Sequence, residues 1–297
     1  MGSGAWSASS FSDYSKSKGR TVTRGVASDQ GMFTQSHLHP DLDPKNKIRE
    51  CVDSEEHPET IPVILALDVT GSMGSACKKV AKSLNVIMSK LFNSYKDIEF
   101  MVMAIGDFAC DDVPLQVSQY ESDVRIAEHT DKIFFEGGGG GNGYESYTAA
   151  WYFASRHTKI DCLKRGRKGI IITMGDEPLN PYLPKSQIKR VLGDKLEADV
   201  ETKNLYKEVT KNFDVFHLSV NDKESSYVWQ QRAYDVDKSF KKYLGDRYRV
   251  TTLDSLPENI TRCIDDALEK SERPLSSIVT ETIIPNPGVN ANGEVTW

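Results

Sequence analysis

The run IPVILALD at positions 61–68 is the feature that most constrains this chain, because it carries no polar residue before Asp68. A strand with one wet face alternates apolar and polar residues. A strand that does not alternate must be covered on both faces, which is the condition of an interior strand in a parallel sheet. Parallel neighbours cannot be joined by a hairpin and need crossovers, usually helical. The next segment supplies one: Val80, Leu84, Ile87, Met88 and Leu91 fall at helical spacing on a single face, predicting a helix from about Gly74 to Ser94. The alternation continues. IEFMVMAIGD reads as a second buried strand and LQVSQY as a short third. VRIAEHTDKIFF and GYESYTAAWYFASRHT read as helices, and RKGIIITMGDEP as a buried strand ending at Gly175-Asp176. Pro178, Pro181 and Pro184 then demand a loop. SQIKRVLG and NLYKEVTKNF suit helices, FDVFHLSV and RYRVTTL suit strands, and Ile260, Cys263, Ile264, Ala267 and Leu268 mark a closing amphipathic helix. The fold class expected is α/β: a doubly wound, mostly parallel sheet flanked by helices, spanning residues 58–272.

The flanks differ in composition. Residues 1–57 are rich in Ser, Gly, Thr and Asp without apolar periodicity and read as an extended, solvated N-terminal arm that includes His37, His39 and His57; residues 273–297 read as a C-terminal tail. The 37 Lys and Arg residues against 43 Asp and Glu give a net charge of −6, so no overall field favours nucleic acid. No apolar stretch approaches the roughly 20 residues of a membrane span, and residues 1–30 lack the apolar core of a secretory signal, which predicts a cytoplasmic protein. The five cysteines stand singly, the pattern of reduced thiols and not of a disulfide framework.

In doubly wound sheets, ligands lie beyond the carboxyl ends of the strands, and three polar clusters stand there. Asp68-Val69-Thr70-Gly71-Ser72 brings one carboxylate and two hydroxyls to the join of the first strand and helix. That is a hard-oxygen donor set of the kind magnesium takes; the alternative is that Thr70 and Ser72 cap the helix while Asp68 complements its dipole. The second cluster is Gly137 to Gly141, followed by Asn142, Gly143, Tyr144 and Glu145, which either shapes an ion site or forms a hinge. The third is Asp176, a carboxylate with no core role. Asp107, Asp111 and Asp112 follow the second strand and are expected to form an acidic surface on the same rim.

These residues resemble the von Willebrand factor A domain family, whose metal-ion-dependent adhesion site is written Asp-x-Ser/Thr-x-Ser after the first strand, with a Thr or Asp in a glycine-rich loop and an Asp after a later strand. Asp68, Thr70 and Ser72 match the first element and Asp176 the last. Asn142 stands where the family usually has Thr or Asp, and Glu145 can substitute there through a water. The resemblance covers residues 58–272 and is nearest to stand-alone bacterial and phage-encoded members. It implies a non-catalytic, metal-dependent protein-interaction module in which a divalent cation keeps one position open for a partner's acidic side chain. The ion implied is magnesium, with manganese and calcium also admitted by the ligand set. By analogy with cytoplasmic members, it also implies work beside a MoxR-type AAA+ ATPase.

Thr70 to Gly74 is one residue from a G-x-S-x-G nucleophile elbow, and with Asp176 and His217 it imitates a serine hydrolase using Ser72. A haloacid-dehalogenase-type phosphotransferase needs a second Asp where Thr70 stands. Gly138, Gly140 and Gly143 satisfy G-x-G-x-x-G only as any glycine run does, and no P-loop is present. A structural subunit held in a larger assembly by its terminal extensions is the reading from a different class, and the oligomeric state is left open by the sequence. Trp151, Tyr152 and Phe153 are expected to be core, and the segment carrying Tyr227, Trp229 and Tyr234 an additional contact surface.

Overall fold

The structure is a computed structural model that describes residues 4–136, 143–221 and 227–272, with the pairs 288–289 and 295–296. Its centre is a six-stranded sheet built from β1 (Ile61–Asp68), β2 (Ile98–Ile105), β3 (Leu115–Val117), β4 (Gly169–Gly175), β5 (Phe213–Val220) and β6 (Tyr248–Thr251), in the order β6-β5-β4-β1-β2-β3. All neighbours are parallel except β2 and β3. Side chains alternate faces along each strand, and the core divides accordingly. Val63, Leu65 and Leu67 enter one apolar cluster, whereas Ile64 and Ala66 enter the other. This two-sided demand is what the unbroken apolar run of β1 encodes.

Eight helices cover the two faces among the described residues: α1 (Ala8–Ser17), α2 (Gly74–Ser94), α3 (Arg125–Asp131), α4 (Thr148–Arg156), α5 (Lys185–Val191), α6 (Thr202–Val209), α7 (Tyr227–Leu244) and α8 (Leu256–Glu272). The first face is closed by α2 and α8 through Val80, Leu84, Ile87, Ile260, Cys263 and Ile264. Trp151, Tyr152 and Phe153 of α4 are fully buried on the second face, as their sequence suggests. α2 has the bounds its periodicity predicts.

Two segments differ from their sequence expectation. Residues 1–57 are not solvated throughout: α1 is capped by Ser7, whose Oγ accepts from the Ser10 amide at 3.0 Å. Trp6, Phe11, Ala27, Met32 and Leu42 join the first apolar cluster. The Arg20 guanidinium donates to both Asp131 oxygens at 2.8 and 2.9 Å, and Arg49–Cys51 pairs in parallel with Thr158–Ile160. This segment is a strap over the domain; its apolar residues are too irregularly spaced to show a period. Secondly, GYESY is not helical, since α4 begins at Thr148. The segment carrying Tyr234 contains the 18-residue helix α7, anchored by Val236, Phe240 and Leu244 at i, i+4 and i+8, and Tyr234 is exposed on it; the side chains of Tyr227 and Trp229 lie outside the described residues.

Candidate metal centre

The sheet reverses its winding between β1 and β4, and the crevice at such a switch point opens at the carboxyl ends of the strands. β1 is in register with both neighbours there, Asp68 opposite Ile105 and Leu67 opposite Met174, so Asp68 and the β4 end at Gly175-Asp176 reach the same rim.

Asp68 is fully buried. Its Oδ1 accepts from the Thr70 amide at 2.9 Å and from Thr70 Oγ1 at 2.6 Å, and its Oδ2 accepts from the Tyr147 hydroxyl at 2.8 Å. Ser72 lies in the Gly71–Met73 3-10 turn ahead of α2 and donates to Asp176 Oδ1 at 2.8 Å, across 104 positions of sequence. Neither hydroxyl caps the helix: no side-chain cap bond is made at Thr70 or at Met73. The capping alternative is therefore not what the fold uses; both hydroxyls are turned toward carboxylates.

Glu145 arrives from the second loop. Its amide donates to the Pro178 carbonyl at 3.3 Å, which ties it to the proline-rich loop after β4. The side chain is 3% exposed, and Oε2 is buried without a hydrogen-bond partner. Burial, and then the charges of Asp68, Asp111, Asp107 and Asp176, push its carboxyl well above the usual range. Burial likewise raises Asp68, the bonds from Thr70 opposing and the Asp176 charge adding to the rise. Asn142 lies outside the described residues, as do Gly138 and Gly140.

The acidic segment after β2 is not the surface expected of it. Asp107 and Asp111 are buried, and only Asp112 is exposed. Asp107 Oδ1 accepts from Ser146 Oγ at 3.2 Å and from the Ala109 amide at 3.1 Å, while Oδ2 is buried without a partner. Asp111 Oδ2 accepts from the Asp107 amide at 2.7 Å. The loop needs this inward turn to satisfy its own amides, which the sequence does not reveal.

Several residues that shape the site escaped the sequence. Tyr147, which belongs to none of the sequence motifs, is fully buried and its hydroxyl supports Asp68. A Cβ at Gly175 would overlap that hydroxyl, and one at Gly106 would overlap Asp111 Oδ2, so both glycines are set by close approach and not by a turn. A glycine closing each of the strands IEFMVMAIG and GIIITMG was the available signal.

The donors fit a hard cation. Carboxylate and hydroxyl oxygens are the ligands magnesium, manganese and calcium prefer, and two buried carboxylate oxygens without partners are the kind of group that an ion or water satisfies. Among the described residues no three His, Cys, Asp or Glu side chains are gathered closely enough to hold a metal by themselves, so the hydroxyls of Thr70 and Ser72 belong in any ligand set. The hydrolase constellation is not assembled. His217 is fully buried, bonded through Nδ1 to Thr173 Oγ1 at 2.8 Å and stacked on Phe240 at 3.7 Å, while Ser72 is engaged with Asp176.

Fold and site together define a doubly wound α/β domain with a cluster of carboxylates and hydroxyls at its topological switch point. No family model and no curated protein matches the chain. Among solved structures it is similar to the pilus adhesin SpaC from Lactobacillus rhamnosus GG in an open conformation, at 11% identity and a TM-score of 0.47, over 76% of this chain and 31% of the adhesin. It is also similar to the SpRpn10 VWA domain, at 13% identity and a TM-score of 0.38, over 70% of this chain and 95% of that domain. The chain thus spans about a third of the adhesin's length. No described helix is long and apolar enough to cross a membrane.

Proposed function

We propose that this chain is a von Willebrand A-type interaction module that holds a divalent cation and uses it to bind an acidic side chain of a protein partner. The ligands proposed are Asp68, Thr70, Ser72 and Asp176, with Glu145 and Asn142 supporting from the second loop and magnesium as the ion, manganese or calcium being chemically admissible. The observation that carries the reading is the Ser72 to Asp176 bond at 2.8 Å. It joins the first and last elements of the motif across the switch point, beside a buried Asp68 already oriented by Thr70 and Tyr147. The ion would supply positive charge among mutually repelling carboxylates and an electrophilic position for a partner's carboxylate. The chain's own residues fix where that position lies. An adaptor role beside a MoxR-type AAA+ ATPase in the cytoplasm extends the same proposal, on the motif's resemblance alone.

A ligand that binds only the folded state raises its stability, by about 2.7 kcal/mol at a hundredfold excess over Kd. Magnesium should therefore raise the Tm of EDTA-treated protein, and Ser72→Ala and Asp176→Asn should each remove most of the rise while leaving the metal-free Tm within a few degrees. An equal rise in the wild type and both variants would contradict the assignment.

A further inference from the structure

The two edges of the central sheet are finished differently. At β3 the outer side is covered by the chain itself: the Val117 carbonyl accepts from the Arg49 guanidinium at 2.8 Å, and the Gln116 side chain exchanges bonds with the Phe134 backbone at 2.6 and 2.9 Å. At β6 no strand lies beyond among the described residues. A bare edge is a template for another strand, and folded proteins usually blunt it with proline, lysine or a covering segment. The strand Tyr-Arg-Val-Thr has neither residue. Its one charge is turned away, since Arg249 pairs with Asp266 of α8.

Parity decides what this edge offers. The Thr251 carbonyl accepts from the Asn221 amide at 2.9 Å on the β5 side. Backbone groups of successive residues point to opposite sides of a strand, so those of Arg249 and Thr251 face β5, while the N–H and C=O of Tyr248 and Val250 face outward. Side chains alternate between the faces of the sheet. Tyr248 is buried under α7 against Phe240, and Val250 follows on the same face but is 55% exposed. α7 runs beside the edge: Asp237 accepts from the Tyr248 hydroxyl, and Lys241 lies over the Tyr248 ring at 5.6 Å. Tyr234, at i−3 from Asp237 on that stripe, is 60% exposed. An exposed valine, outward backbone groups and an exposed tyrosine therefore line one edge on one side of the sheet.

We infer that β6 is a homodimer interface, at which a second copy of this chain adds its own β6 antiparallel across a two-fold axis, with Val250 opposite Val250. The inference is independent of the cation. A two-fold axis sets a strand against itself, and residues directly opposed must share a face, so the registers that keep most of β6 paired are centred on Arg249 or on Val250. Centring on Arg249 opposes two guanidinium groups, which is destabilising. Centring on Val250 joins two apolar side chains, lets the two valines exchange both outward N–H to C=O bonds, and sets each Arg249 against Thr251. The edge is thus complementary to itself in hydrogen bonding, apolar contact and charge, which is what selects an identical strand as its occupant.

Sedimentation equilibrium of the full chain across the micromolar range tests this. The wild type should show a monomer–dimer equilibrium, and its Val250 amide should gain hydrogen-exchange protection as the dimer fraction rises. Val250→Pro removes an N–H that the chain's own sheet does not use, a place where a strand tolerates proline; the variant should keep native circular dichroism and sediment as a monomer. Val250→Lys sets like charges opposite each other and should weaken dimerisation by roughly tenfold or more, a result that does not depend on how the proline variant folds. Val86→Lys, at an exposed valine of α2, should dimerise like the wild type. A wild type that is monomeric at every concentration, or dimerisation unchanged in both Val250 variants, overturns the inference. A Val250 amide protected in the monomer would mean that another part of the chain lies on the edge, and overturns it as well.

Discussion

Tyr147 and Gly175 form one unit at the residue scale: the ring occupies the space a Cβ at 175 would take, and its hydroxyl donates to buried Asp68 at 2.8 Å. A hydrogen bond to a charged acceptor contributes about 1.5–3 kcal/mol, so Tyr147→Phe should lower unfolding free energy by about 2 kcal/mol. Gly175→Ala overpacks the same point and should cost about 1–3 kcal/mol. Urea unfolding checks both, and a loss below about 0.5 kcal/mol, the ordinary surface value, would contradict this geometry. The placement of Asp68, Thr70, Ser72 and Asp176 was legible in the sequence because the first three follow one apolar run, IPVILAL, and the last follows another, GIIITM, each of which dictates a strand. Tyr147, Asp107 and Asp111 were not, since their roles depend on how loops far apart in sequence approach. Burial of Asp107 and Asp111 follows from amides inside the loop and leaves no mark in composition.

The element whose behaviour departs furthest from its sequence is the N-terminal strap. Phe11 is 2% exposed and packs on Trp6 with ring centroids 5.5 Å apart, although α1 is mostly Ser, Lys and Asp. A buried Phe→Ala substitution typically costs about 3–5 kcal/mol, and Phe11→Ala should fall in that range by urea unfolding. A change near zero would restore the solvated arm. A lone aromatic in a polar segment carries no period, so only the contact reveals it. α7 is the opposite case: Val236, Phe240 and Leu244 do carry a helical period, which the surrounding charge obscured.

At the scale of the whole molecule, buried titratable groups set opposing pH trends. His217, fully buried and stacked on Phe240, is held down to about 3 by burial. Its contribution is complete above the unfolded value of 6.5 and is lost as pH falls toward 3, with a slope of up to about 1.4 kcal/mol per pH unit. Glu121 is pushed up to about 7 by burial, with Arg125 opposing. Its stabilisation is full below the unfolded 4.5 and lost as pH rises through 7. The two trends oppose each other between pH 6.5 and 4.5, so the loss due to His217 should show in urea unfolding below about pH 4.5, where Glu121 is protonated in both states, and His217→Phe should flatten it; an unchanged acid limb in the variant would show that His217 is not the titrating group. The α/β class and strand boundaries were readable from hydrophobic pattern, because two-sided burial writes itself into β1, β2 and β4. Strand order was not, since pattern does not say which strands are neighbours, and the order is what places Asp68 and Asp176 on one crevice.

Whether that crevice takes a divalent ion is tested most directly by calorimetric titration of magnesium into EDTA-treated protein, beside the Asp68→Ala variant. Saturable binding to the wild type, absent from a variant with native circular dichroism, is the result predicted. Equal binding by both, or none by the wild type, would contradict the central claim.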